Sequence, residues 1–160
     1  MTQSILAKPA HRALRKGRSS TPGQVYFVTT VTHGREPLFA QWPLATVAAR
    51  LIGDPGLWRD SKLLSWVLMP DHLHALIQLG NDEALERLIQ RVKSVLAQAI
   101  NRERGGFYPV WAPAFHDRAL RAEDDLKGFA RYVVANPVRA GLVTRAGDYP
   151  FWDAVWLPTP

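Results

Sequence analysis

The chain contains no cysteine. Disulfides, thiol catalysis and every cysteine-based zinc site are therefore excluded, and any metal must be held by nitrogen and oxygen ligands. No apolar run approaches the roughly 18 residues of a membrane span. The N-terminus lacks the apolar stretch of a secretory signal, which points to an intracellular protein. Repeats and low-complexity tracts are missing too. So are acids over the first 35 positions. That stretch carries Lys8, Arg12, Arg15, Lys16, Arg18 and Arg35, while the rest of the chain balances 14 basic against 14 acidic side chains. The whole net charge of +6 thus sits at one end. A basic arm on a neutral body suggests a polyanionic partner, with nucleic acid the first candidate; a solvated leader is the plain alternative.

At 160 residues the chain suits one domain. Residues 1–23 lack periodicity and end in Ser19-Ser20-Thr21-Pro22-Gly23, the composition of a flexible arm. Residues 24–160 supply the domain. Val25 to Thr32 is β-branched and aromatic, as a strand requires. Trp42 to Ile52 reads as a helix, stopped by Gly53-Asp54-Pro55-Gly56. Leu63 to Met69 and His72 to Leu79 are two strands separated by a tight breaker, hence an antiparallel pair. Asp82 to Arg102 is the clearest helix, with Leu85, Leu88, Ile89, Val92, Leu96 and Ala99 at helical spacing and Gly105-Gly106 as its stop. Val110 to Leu120 holds a fourth strand, Glu123 to Ala135 a third helix, and Tyr149 to Trp152 packs aromatic rings back on the body. The order β-α-β-β-α-β-α predicts an α+β domain, a ferredoxin-like or RRM-like antiparallel sheet with helices packed on it.

Two short stretches carry chemistry. In Met69-Pro70-Asp71-His72-Leu73-His74, the histidines stand at i and i+2 of a strand and share one face. A neutral imidazole pair is a natural half of a metal site, and equally a pair of satisfied sheet histidines. In Tyr132-Val133-Val134-Ala135-Asn136-Pro137, Tyr132 and Asn136 are i,i+4 neighbours on a helix face. Tyr132 lies at the edge of that helix's apolar stripe, where its phenol can reach a cleft or simply mark the boundary. Asn136 before Pro137 also suits a helix start. His116 reads as a surface strand residue before a cleft residue.

Taken together, His72-Leu73-His74 followed by Tyr132 and Asn136 resembles the single-tyrosine HUH transposases, and more closely their REP-associated tyrosine transposase branch. Further stretches match in order: Tyr26-Phe27-Val28-Thr29-Thr30, Val67 to Asp71, Phe115-His116-Asp117-Arg118, Arg121 with Asp124-Asp125-Leu126, and Asn136-Pro137-Val138-Arg139-Ala140-Gly141-Leu142-Val143. The resemblance spans roughly residues 24–153. In the family, arginines and a glycine often lie just before the first strand, whereas here Arg15-Lys16-Gly17-Arg18 lies further upstream.

The resemblance implies that His72, His74 and Asn136 hold a divalent cation, Mg²⁺ or Mn²⁺, and that Tyr132 is the nucleophile. It implies single-strand cleavage and strand transfer through a 5′-phosphotyrosine on single-stranded or hairpin DNA, in a bacterial cytoplasm and at the nucleoid. Arg12, Arg15, Lys16, Arg18, Lys93, Arg118, Arg121 and Arg139 are the candidate DNA contacts. No membrane and no protein partner is indicated, and monomer and homodimer both stay open. The competing readings are a hairpin DNA- or RNA-binding module that does not cut, and a metal-dependent hydrolase of a small molecule.

Overall fold

The computed structural model describes residues 20–121 and 124–157. Its strands are β1 (Val25–Val31), β2 (Lys62–Met69), β3 (His72–Gln78), β4 (His116–Ala119) and β5 (Trp152–Ala154). They form one antiparallel sheet in the order β4-β1-β3-β2-β5. The helices are α1 (Trp42–Ile52), α2 (Pro55–Trp58), α3 (Leu85–Arg104), α4 (Leu126–Val134) and α5 (Asn136–Arg139). The first four strands, with α1 and α3 as crossovers, give the expected ferredoxin-like arrangement. β5 extends the sheet beyond β2. The aromatic C-terminal stretch packs as expected, with the Tyr149 hydroxyl donating to Leu68 O and the Tyr149 and Phe151 rings edge-on at 5.9 Å.

The alternation of β3 splits the protein into two layers. Leu73, Ala75 and Ile77 join the main core with the apolar faces of α1 and α3. The opposite face carries His72, His74 and Leu76. There Leu76 packs with Ala130, Leu126 and Phe129 of α4, while Val67, Met69 and Val133 form an adjoining cluster. At about 25 cal/mol per Å² of buried apolar surface, both layers contribute to folding. The α4 layer is the thinner one, and it covers the imidazoles.

Some boundaries differ from the sequence expectation for identifiable reasons. α3 begins at Leu85 rather than Asp82, because the backbone before it is held by distant groups. The Asp60 carboxylate accepts from the N–H groups of Asn81 and Asp82 at 2.5 and 3.1 Å, and the Ser20 hydroxyl accepts from Leu85 N–H at 2.9 Å. Residues 20–23, read from sequence as the end of the arm, are thus pinned to the body; Gly23 N–H also donates to Leu79 O at 2.7 Å. α4 is shorter than predicted at both ends, and Glu123 lies outside the described residues.

Lys93, a candidate DNA contact by sequence, projects from α3 in the layer opposite the imidazoles. Its Nζ donates to Ala112 O at 2.6 Å and Ala114 O at 3.3 Å, and burial pulls its pKa below the usual lysine range. It straps the segment after α3 onto that helix. Lys93→Met leaves those carbonyls without their charged donor, so urea denaturation should show a loss of about 1–3 kcal/mol. An unchanged midpoint would mean that the strap holds without it.

Candidate functional site

The pairing of β3 with its neighbours sets out the site. Thr29 of β1 and Val67 of β2 flank His74; Val31 and Met69 flank His72. Directly opposed residues of an antiparallel pair share a face, so these side chains surround the two rings. The imidazole centroids lie 4.5 Å apart in an edge-on arrangement.

Each ring is fixed through its Nδ1. His72 Nδ1 lies 2.7 Å from Asp71 Oδ1. An ionised carboxylate only accepts, so the proton of neutral His72 sits on Nδ1 and its Nε2 keeps a lone pair. His74 Nδ1 lies 2.7 Å from Thr29 Oγ1, and a metal-binding Nε2 requires Nδ1–H to donate to that hydroxyl. A ligating histidine held at its other nitrogen by a carboxylate or hydroxyl is the common arrangement around protein-bound metals. Arg35 extends the chain with an Nη1 contact to Asp71 Oδ2 at 3.4 Å.

The electrostatics favour this protonation pattern. Burial, then the neighbouring His72, Arg139 and Arg35, push the His74 pKa down to about 3. The ring is therefore neutral, the form a metal needs. Burial alone would raise the Asp71 carboxyl. The hydrogen bond with His72, the positive charge that ring carries when protonated, and the Arg35 guanidinium outweigh it and hold the group below the usual carboxylate range.

A pH dependence follows. The unfolded chain protonates His74 near 6.5, whereas the folded chain resists until about 3. Between those values unfolding takes up a proton, so stability falls as pH decreases through the window. Without added metal, the change between pH 6.5 and 5 should reach up to about 2 kcal/mol, and His74→Gln should flatten it. Equal pH slopes for both proteins would remove His74 as the cause.

The tyrosine helix roofs the same face. A chain of rings links His74 to Phe27 at 5.1 Å, Phe27 to Phe129 at 5.2 Å, and Phe129 to Tyr132 at 6.0 Å. Tyr132 is 55% exposed, and among the described residues nothing hydrogen-bonds its hydroxyl. Arg139 lies over its ring at 3.9 Å and donates from Nη1 to Tyr132 O at 2.9 Å. Asn136 opens α5 with Pro137 behind it, and its Nδ2 donates back to Val133 O at 2.8 Å. That bond fixes the amide and turns its nitrogen, not its oxygen, toward the backbone of α4.

The Asp71 and Thr29 partners were missed by sequence reasoning. Asp71 was visible as an acid beside the first histidine. Thr29 lies a whole strand away, and only the register reveals it. Of the candidate DNA contacts, Arg118 lies 5.4 Å over the Phe129 ring and 3.7 Å from Asp124. Arg121 N–H donates to the same carboxylate at 2.8 Å. His116 is exposed but pairs with Thr29, which places it in the row that contains His74. Arg12, Arg15, Lys16 and Arg18 lie outside the described residues. Among the described residues, no group of three or more His, Asp or Glu side chains is arranged to hold a metal. A cation here would therefore depend on the imidazoles and a non-carboxylate partner such as the Asn136 amide.

The family model described as "Transposase IS200 like" matches residues 21–121, more than half of the chain. The chain belongs to the IS200-like transposase family. The matched segment contains the imidazole pair and all four strands of the ferredoxin-like core; Tyr132 and Asn136 follow it. An Escherichia coli K12 protein named REP-associated tyrosine transposase is 30% identical over 95 residues, which cover 58% of this chain and 54% of that protein. A Haemophilus influenzae relative is 28% identical over 94 residues, 52% of this chain and 53% of its own. The chain thus spans about half the length of the curated relatives it matches. Among solved structures, a REP-associated tyrosine transposase bound to a REP hairpin superposes with a TM-score of 0.64 at 24% identity, covering 84% of this chain and 79% of that one. This likeness shows a common fold. No described helix is long and apolar enough to cross a membrane.

Proposed function

We propose that this protein is a metal-dependent, single-tyrosine nuclease and strand-transferase that cuts and rejoins single-stranded or hairpin DNA. The observation that supports it best is the imidazole pair, with both Nδ1 atoms occupied, beneath the helix that carries Tyr132. The hairpin in the solved relative supports the choice of substrate.

His72 and His74, through Nε2, and Asn136, through its oxygen, would hold the cation. Mn²⁺ tolerates such a mixed nitrogen and oxygen set; Mg²⁺ prefers oxygen alone. When bound, the ion supplies polarisation of the scissile phosphate and offsets the charge that builds during attack. Asp71 and Thr29 hold the imidazoles in the ligating tautomer. Arg139 fixes the Tyr132 ring and places a positive charge beside it, suited to the approaching phosphate.

The Tyr132 oxygen attacks the phosphorus as its phenolic proton departs. A bond forms between that oxygen and the 5′ phosphate, and the bond to the 3′ oxygen breaks. The departing strand takes up a proton and leaves as a 3′ hydroxyl. Because the covalent link retains the diester, the reverse attack rejoins strands without a nucleoside triphosphate. Such a protein works where the DNA is, at the bacterial nucleoid.

The test is incubation of end-labelled hairpins bearing a single-stranded flank with Mn²⁺. A 5′ label should appear on a shorter free fragment, and a 3′ label should migrate with the protein until protease releases it. The opposite labels would contradict 5′-phosphotyrosine chemistry. Cutting without a covalent species would favour water as the nucleophile, and tight binding without cutting would favour a hairpin-binding module.

A further inference from the structure

A groove of ≈ 750 Å³ lies between α3 and the segment 106–113 that follows it, in the layer opposite the imidazoles. The segment is tied down at both ends. Asn101 Nδ2 donates to Tyr108 O at 2.9 Å, and Lys93 Nζ to Ala112 O at 2.6 Å. Arg104 stacks on the Tyr108 ring at 4.4 Å. A Cβ at residue 106 would stand 2.4 Å from that ring, so glycine lets Tyr108 fold back over the chain.

This strap displays aromatic surface to solvent. Phe107 is 100% exposed and Tyr108 is 49% exposed. The α3 floor presents the exposed polar groups of Gln90, Ser94 and Gln98. Lys93 and Arg102 line the groove, and no Asp or Glu does. Aromatic platforms beside positive charge and amide groups suit unpaired nucleobases on a phosphate backbone. A second copy of the chain is a poorer occupant, since two such positive grooves repel.

We infer that this groove binds the unpaired bases of single-stranded DNA, by stacking on Phe107 and Tyr108, with Arg102 toward the phosphates and Gln98 toward base edges. The inference rests on the proposal that the substrate is DNA, and it adds a subsite away from Tyr132. It would hold a single-stranded flank while the imidazole face engages the phosphate to be cut.

The test is fluorescence anisotropy in EDTA, which prevents cutting, on a hairpin with an unpaired flank and on the same hairpin without it. Phe107→Ala should weaken binding of the flanked hairpin about ten-fold, one stacked base being worth roughly that factor. Phe107→Trp should retain wild-type affinity, and the flankless hairpin should bind all three proteins alike. An abasic flank should bring the wild type down to the level of Phe107→Ala. The ring is fully exposed, so its removal leaves folding intact. Wild-type affinity of Phe107→Ala for the flanked hairpin would overturn the subsite while leaving the nuclease reading untouched. So would a dimer, seen in sedimentation, that this variant abolishes without changing DNA affinity. Failure of the wild type to bind either hairpin would overturn both readings.

Discussion

Tyr132→Phe is expected to reduce covalent capture of the 5′ phosphate to background while leaving hairpin affinity within a few-fold. The reason lies in what the ring and the hydroxyl each do. The ring contacts Phe129 at 6.0 Å and lies beneath the Arg139 guanidinium at 3.9 Å. A phenylalanine keeps the hydrocarbon and most of the attraction to the cation. The hydroxyl has no hydrogen bond among the described residues, so its loss should change stability by less than about 0.5 kcal/mol. A variant that folds, binds and fails only in the covalent step identifies the reacting atom. Gel retention of label after denaturation, compared with affinity and melting temperature, reads all three. Normal cutting by Tyr132→Phe would remove Tyr132 from the mechanism and return the cleft to a water-based hydrolase.

The parts of this site that follow local periodicity were legible in the sequence. His72 and His74 share a face because strands alternate, and the structure places their rings 4.5 Å apart. Tyr132 and Asn136 do not share one helix as their spacing suggested: α4 ends at Val134 and Asn136 opens α5, and the turn between them leaves Asn136 Nδ2 3.5 Å from Tyr132 O. The breaker between β2 and β3 forced the hairpin at the centre of the sheet. What was not legible depends on groups brought together from afar. Asp60 and Ser20 hold the backbone ahead of α3, so the acids at 82 and 83 do not begin the helix as their position suggested. Glu83 instead takes up Arg91. Lys93 lies beside an apolar stripe, a position from which sequence cannot distinguish solvent from the carbonyls of a strap two turns beyond the helix. β5 has three residues, too few to show a period. Thr29 stands beside His74 solely through the register of β1 against β3, which no local pattern encodes.

Withdrawing the proposed cation should have an effect as large as removing the proposed nucleophile, and the partners of the two imidazoles allow a graded test. His72→Ala and His74→Ala each delete one of two nitrogen ligands, so Mn²⁺ binding, followed by calorimetry or by the loss of the free-ion spin resonance signal, should weaken by more than about 100-fold. Cutting should stop in both variants, and in the wild type with excess EDTA until Mn²⁺ or Mg²⁺ is restored. Asp71→Ala leaves every proposed ligand in place but removes the acceptor 2.7 Å from His72 Nδ1. The ring is then free to put its proton on either nitrogen, and affinity should fall by about 10–100-fold, with cutting recovered at high Mn²⁺. Asn136→Ala should fall least among the ligand variants, because an amide oxygen is the weakest of the three. The order of these losses is diagnostic. A purely structural histidine pair would lower the melting temperature in all of the variants and show no saturable Mn²⁺ binding in the wild type. A ligand pair shows binding that Asp71→Ala weakens and excess metal rescues. Unchanged Mn²⁺ affinity in both histidine variants, or full cutting in EDTA, would remove the cation from the mechanism and leave Arg139 as the positive charge placed beside the Tyr132 ring.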